Sequence, residues 1–112
     1  TAVDHRMRIM TEETFGPAVG IMRVADDAEA LRPTHDSAYG LTASIWTRDA
    51  AAAVRLGGDL ETGTVYLNRC DHADLYLPWG GLKNSGLGRV NGREGLRQAS
   101  EIKAFHVRTE FV

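Results

Sequence analysis

Three short apolar runs, residues 19–24, 41–47 and 64–68, recur at near-regular spacing, and each reads as a β-strand. What lies between them constrains the fold most. In the first interval Asp26-Asp27-Ala28-Glu29-Ala30-Leu31 opens with carboxylates suited to a helix N-terminus, and Pro33 with Tyr39-Gly40 closes the segment. In the second, Asp49 can cap Ala50-Ala51-Ala52-Ala53-Val54-Arg55-Leu56, and Gly57-Gly58 ends that helix. The order is therefore β-α-β-α-β. Connections of this length favour parallel strands joined by right-handed crossovers, with helices layered on the sheet. The expectation is an α/β fold, a three-layer fragment around a parallel sheet. Parallel sheets are normally covered on both faces, and three strands leave two open edges, so the pattern also argues for neighbours that these residues do not supply.

Beyond the third run the periodicity fades. Residues 69–89 are rich in loop formers, among them Pro78, Gly80, Gly81, Gly86 and Gly88, and long ordered loops on an α/β scaffold are where function usually sits. A helix over residues 93–100 and a terminal strand over residues 102–108 follow, the latter alternating Ile102, Ala104 and His106 against Lys103, Phe105 and Val107. Residues 1–101 thus read as one α/β unit and 102–112 as a terminal, sheet-forming strand.

Composition removes several function classes. With 43% hydrophobic and 25% charged residues in 112, the chain has the balance of one globular domain, not of a disordered or fibrous polypeptide. A net charge of −2, without long like-charge blocks, gives no basic footprint for nucleic acid or an anionic membrane surface. No apolar run approaches the roughly 20 residues of a membrane span, and no secretory leader is evident, so a cytoplasmic location is expected. The single cysteine, Cys70, has no internal disulfide partner, and His5, His35, His72 and His106 are too dispersed to suggest a metal site. Thr1, in place of methionine, leaves room for an upstream portion.

Three segments stand out, two for the chemistry they could carry and one as scaffold. In Glu12-Glu13-Thr14-Phe15-Gly16-Pro17, a carboxylate at a rigid turn can accept from both hydroxyls of a ribose, while the nearby aromatic can wall a nicotinamide ring. Asp36-Ser37-Ala38-Tyr39-Gly40-Leu41-Thr42-Ala43-Ser44-Ile45-Trp46-Thr47-Arg48-Asp49 reads as scaffold, with Tyr39-Gly40 turning the chain into a buried strand and Trp46 as a packing residue. Pro78-Trp79-Gly80-Gly81-Leu82-Lys83-Asn84-Ser85-Gly86-Leu87-Gly88-Arg89 places glycines where positive φ or close backbone approach is needed, just after an aromatic able to present a flat wall. It is no phosphate cradle, because no lysine follows Gly86 and the glycine spacing is not of the dinucleotide type.

In this order and spacing the three segments resemble the C-terminal part of the NAD(P)-dependent aldehyde dehydrogenase superfamily, whose motifs run Glu-Glu-x-Phe-Gly-Pro and Pro-Phe-Gly-Gly-x-Lys-x-Ser-Gly-x-Gly-Arg. Trp79 replaces the usual phenylalanine, Val90 a usual glutamate, and His35, where the family more often has Asn, counts as a loop substitution without catalytic meaning. The resemblance implies that Glu13 and Phe15 bind NAD or NADP, that Ala73 and Trp79 contact an aldehyde, and that the complete enzyme is a homo-oligomer. It also implies that the nucleophile is elsewhere. The family's cysteine precedes the Glu-Glu-x-Phe-Gly-Pro motif in a Gly-Gln-x-Cys-like context, whereas Cys70 follows that motif and lacks the context, so this chain alone should be inactive. Cys70-Asp71-His72 are chain neighbours in a loop, which does not make a triad. The competing reading is a catalytically inactive truncated paralogue that serves as an assembly or binding module.

Overall fold

The computed structural model describes residues 3–110. Its elements run α1 (Arg8–Thr11), α2 (Asp27–His35), β1 (Tyr39–Gly40), β2 (Thr42–Ile45), α3 (Ala50–Asp59), β3 (Thr64–Leu67), β4 (Leu82–Lys83) and α4 (Gly92–Gln98). β2 and β3 pair in parallel, from Thr42 opposite Thr64 to Ile45 opposite Leu67, with α3 as their crossover. Asp49 caps α3 as its position suggests, its carboxylate accepting from the Ala52 N–H at 2.9 Å. At the far end of the pair the Asn68 amide accepts from the Thr47 N–H at 2.9 Å and donates to the Thr47 carbonyl at 2.8 Å, continuing the ladder with a side chain.

Two helices outrun their expected ends. α3 passes through Gly57 and Gly58 to Asp59. A Cβ on Gly57 would stand 3.2 Å from Cγ1 of Val65 and 3.7 Å from Cδ1 of Ile45. The glycine lets the helix lie close on β3, and that contact offsets a helix-propensity cost of about 1 kcal/mol. α2 likewise continues past Pro33 to His35. Its start is doubly tied, with Asp26 accepting from the Glu29 N–H at 2.8 Å and the Glu29 carboxylate accepting from the Ala25 N–H at 2.6 Å. By the time Pro33 removes one backbone bond, the preceding turns are formed. His35 is therefore the last helical residue, not part of a loop, and α4 covers Gly92–Gln98.

The expected three-stranded sheet is not found among the described residues. Residues 19–24 form no strand, and neither do residues 102–108. Both have the apolar composition of strands, but strand propensity is realised only against a strand partner, and no described strand pairs with either one; residues 19–24 lie instead against α1 and α2. Trp46, expected to pack, is 68% exposed for the same reason, and Ile102 is fully exposed (100%). What replaces the third parallel strand is a second, antiparallel pair of β1 with β4, placing Tyr39 opposite Lys83 and Gly40 opposite Leu82.

The bookkeeping of surface is unusual. A closed monomer of this mass would expose about 6,100 Å² and have a radius of gyration of about 13 Å. The chain exposes 9549 Å², its radius of gyration is 19.9 Å, and the only buried apolar side chain among the described residues is Ala53, itself still 5% exposed. Roughly 3,500 Å² of surface that a closed domain would bury is thus left open. No helix among the described residues is long and apolar enough to cross a membrane.

Candidate functional site

β3 alternates in the ordinary way, so that Val65 and Leu67 face α3 while Tyr66 points to the opposite side of the sheet. There the Tyr66 hydroxyl donates to the carbonyl of His72 at 3.1 Å, fixing the loop that follows β3. The Asp74 carboxylate accepts from the Tyr76 N–H at 2.9 Å and turns the chain back, and the Gly92 N–H reaches the Leu75 carbonyl at 3.0 Å. Trp79 and Val90 then exchange both backbone hydrogen bonds at 2.8 Å in an isolated antiparallel bridge.

These contacts bring Ala73 and Trp79 together. With Tyr66, Asp71 and Asn91 they line an open recess of about 340 Å³, and Trp79 is 39% exposed along it. The volume suits a small organic molecule. Two aromatic side chains and a methyl group give it apolar walls, and the Asp71 carboxylate with the Asn91 amide adds polar groups. Tyr66, Asp71 and Asn91 were not singled out from sequence. A signal for Tyr66 exists in the strand alternation, and Asn91-Gly92 is a turn-type pair whose residues both adopt positive φ, 61° and 58°. Asp71 also has positive φ, 34°, which nothing in its neighbours announces.

The loop between Trp79 and Val90 is tied at both ends. At its tip the Ser85 hydroxyl accepts from the Gly40 N–H at 2.9 Å and the Asn84 N–H donates to the Ala38 carbonyl at 2.9 Å. Lys83 donates to the His35 carbonyl at 2.8 Å and pairs with Glu61 at 2.7 Å. The hydrogen bond from Lys83 holds the Glu61 carboxyl below its ordinary range. At the neck, Arg89 Nη1 donates to the carbonyls of Gly81 at 3.0 Å and Gly88 at 2.7 Å.

Glu13 and Phe15 lie apart from this recess. The paired glutamates divide their work: the Glu12 carboxylate accepts from Nε and Nη2 of Arg8, at 2.8 and 2.7 Å, and those hydrogen bonds lower its carboxyl below the usual value. The Glu13 carboxylate engages no described residue and borders a second open recess with Thr34, Ser37, Thr62 and Ser85. Two short backbone bonds, Gly16 N–H to Thr14 carbonyl at 3.1 Å and Ala18 N–H to Gly16 carbonyl at 2.8 Å, hold the turn that follows. Phe15 projects from it 96% exposed. An unengaged carboxylate and an uncovered ring two residues apart fit the acceptor and the flat wall that a ribosyl-nicotinamide requires. The structure does not bring Phe15 into the recess that Glu13 borders.

Cys70 is an exposed free thiol outside the Ala73–Trp79 recess, and that recess contains neither cysteine nor histidine. Among the described residues no group of three or more His, Cys, Asp or Glu could hold a metal ion. The arrangement can bind and orient a ligand.

Known proteins resemble this chain along nearly its whole length. The sequence profile of the aldehyde dehydrogenase family matches residues 1–105. The 4,4'-diapolycopene aldehyde oxidase of a Methylomonas species is 46% identical over 98 residues, covering 84% of this chain and 18% of that protein. Phenylacetaldehyde dehydrogenase of Pseudomonas fluorescens is 44% identical, covering 88% of this chain and 20% of that protein. The crystal structure of betaine aldehyde dehydrogenase from Staphylococcus aureus in complex with NAD+ superposes with a TM-score of 0.81 at 40% identity, over 86% of this chain and 19% of that one. The chain spans about a fifth of the length of these relatives.

Proposed function

Because the chain belongs to the aldehyde dehydrogenase family, we propose that it is the C-terminal portion of an enzyme that oxidises an aldehyde to a carboxylic acid with NAD+ or NADP+. The observation that carries this reading is the meeting of Ala73 and Trp79 in one aromatic-walled recess. In it, Trp79 and Tyr66 supply apolar area to the body of the aldehyde, and the small Ala73 leaves room opposite the indole. Glu13 accepts from the ribose hydroxyls and Phe15 stacks on the nicotinamide. The cofactor, when bound, supplies the hydride acceptor. The nucleophilic thiol comes from outside residues 1–112, since Cys70 lies beyond the recess.

The open surface supports the same reading. An excess of about 3,500 Å² on one side is more than the roughly 1,000–2,500 Å² per partner that most obligate interfaces bury, which suits a segment enclosed by the remainder of a larger enzyme. Within it, residues 1–101 belong to the catalytic domain, layered by helices on both sides of the sheet, and residues 102–112 form a strand that pairs with a neighbouring subunit of a cytoplasmic homo-oligomer. The exposed side chains of Ile102, Phe105 and Val107 are what such a strand would cover.

A panel of aldehydes offered with NAD+ and with NADP+ tests the proposal. The complete protein should give aldehyde-dependent reduced cofactor and the 112-residue chain none. Cys70-dependent turnover by the isolated chain, or silence of the complete protein across the panel, would overturn it.

A further inference from the structure

Resting on that reading of Trp79, we propose that Arg89 is a positioning residue that sets the substrate wall by latching the neck of the glycine-rich loop. The loop leaves the Trp79–Val90 pair, runs out to β4 and returns, and its two limbs meet again immediately beside that pair. Backbone pairing and the Arg89 side chain hold them together there. Trp79 and Val90 exchange two backbone bonds of 2.8 Å. One guanidinium nitrogen, Nη1 of Arg89, carries two hydrogens and donates one to each limb, to Gly81 at 3.0 Å and to Gly88 at 2.7 Å. The limbs approach so closely that a Cβ on Gly80 would stand 2.6 Å from the Gly88 carbonyl and 3.2 Å from Cδ of Arg89.

The guanidinium is half-buried against backbone and forms no ion pair with a described carboxylate, so its hydrogen bonds, not a charge partner, define its place. A charged donor strengthens each of the two bonds, and its planar geometry spaces the two carbonyls. Trp79 is adjacent to Gly80 in one limb and Val90 is adjacent to Arg89 in the other, so the latch acts directly on the residue pair that fixes the indole. Arg89 does not line the recess and touches no substrate in this proposal. Its effect reaches the aldehyde through Trp79 alone.

The test uses the complete protein and the variants Arg89→Ala, Arg89→Lys, Trp79→Ala and Arg89→Ala/Trp79→Ala. Aldehyde selectivity is read as the ratio of kcat/KM for a bulky aromatic aldehyde to that for a short aliphatic one. Arg89→Ala should lower this ratio about 5- to 10-fold when Trp79 is present, through KM more than kcat, and by less than about 2-fold when Trp79 is already alanine. Arg89→Lys, which keeps the charge but not the planar fork, should fall between, and it serves as the test if Arg89→Ala does not fold. Peptide-level hydrogen exchange across residues 77–92 gives a readout independent of turnover, and it should quicken in both Arg89 variants. Unchanged selectivity, or an equal shift with and without Trp79, would overturn the positioning role. Unaltered exchange would show that there is no latch. Absence of aldehyde oxidation by the unmodified protein would instead sink the proposed function, and exchange would still report on the latch.

Discussion

Gly63 and Gly58 make a pair in which the same substitution should have opposite signs. An ideal Cβ on Gly63 falls onto the carbonyl oxygen of Gly80, with the Gly80 carbonyl carbon at 2.7 Å and the Gly81 Cα at 3.2 Å. All three atoms are backbone, so no rotamer can clear them. Ordinary contact distances require the start of β3 and the neck of the loop to part by more than about 1 Å, and forced repacking of this kind costs roughly 1–3 kcal/mol. Because Gly80 follows Trp79, the displacement should also reach the recess. A misplacement of about 1 Å at a reacting or positioning group can cost up to about 100-fold in rate. Gly58→Ala, by contrast, adds a methyl with nothing within 4 Å, inside α3, and should stabilise by up to about 1 kcal/mol. Urea denaturation of the complete protein reads the stability, and kcat/KM for a bulky aldehyde reads the site. Gly63→Ala is expected to lose stability and at least about 10-fold in kcat/KM with cofactor KM little changed. If Gly63→Ala and Gly58→Ala shift the midpoint equally, or Gly63→Ala keeps full activity, the close approach does not hold the site and the reasoning fails.

Four further outcomes can be checked. Glu13→Gln in the complete protein should slow hydride transfer or cofactor release more than it alters the melting temperature, since the amide offers one acceptor oxygen where the carboxylate offers two; unchanged single-turnover kinetics would remove Glu13 from the cofactor site. Trp79→Ala should change kcat/KM unequally among aldehydes of different bulk, favouring loss with aromatic or medium-chain substrates, whereas equal losses would mark the indole as packing only. Deleting residues from Ile102 onward should lower the oligomeric state or cause aggregation, as light scattering would show; a well-behaved, unchanged oligomer excludes an assembly strand. The Lys83–Glu61 pair should add stability that depends on pH. With the Glu61 pKa lowered in the folded state, the contribution is present above its unfolded value near 4.5 and is lost as pH falls through the folded value. Denaturation of the wild type and Glu61→Gln at pH 7 and below pH 4 should therefore differ most at pH 7.

What was legible in the sequence was local. Asp26 and Asp49 announce the two helix starts because a cap is a contact between residues three apart, and both are found where the pattern puts them. The parallel pairing of residues 42–45 with 64–67 follows from the length of the crossover between them. The helix ends were misread at Pro33 and at Gly57-Gly58, where tertiary contact and prior helix formation outweighed residue preference. Residues 19–24 and 102–108 failed as strands for a different reason: an apolar run states that a segment could pair, not whether another strand is there to pair with it. Ala73 and Trp79 were named through resemblance, yet Asp71 and Asn91 join them by way of positive-φ turns that no periodicity reveals. Nothing in the alternation of residues 39–40 and 82–83 foretold the β1–β4 pairing, because each strand is only two residues long.

The β2–α3–β3 unit also has a consequence for the order in which the chain folds. Its cap, its crossover and the Thr47–Asn68 side-chain closure all lie between residues 42 and 68, so this unit can form with short loop closures and no help from elsewhere. The glycine-rich loop cannot. Its anchors, Ser85 on Gly40 and Lys83 on His35, join residues separated by 45 and 48 positions, and they need β1 and the end of α2 already in place. Since distant contacts are made only after their loop entropy has been met, the walls of the Ala73–Trp79 recess should be assembled late on a scaffold that is formed early. A chain arrested before that docking step would have native helix content and a parallel strand pair, but no shaped place for a substrate.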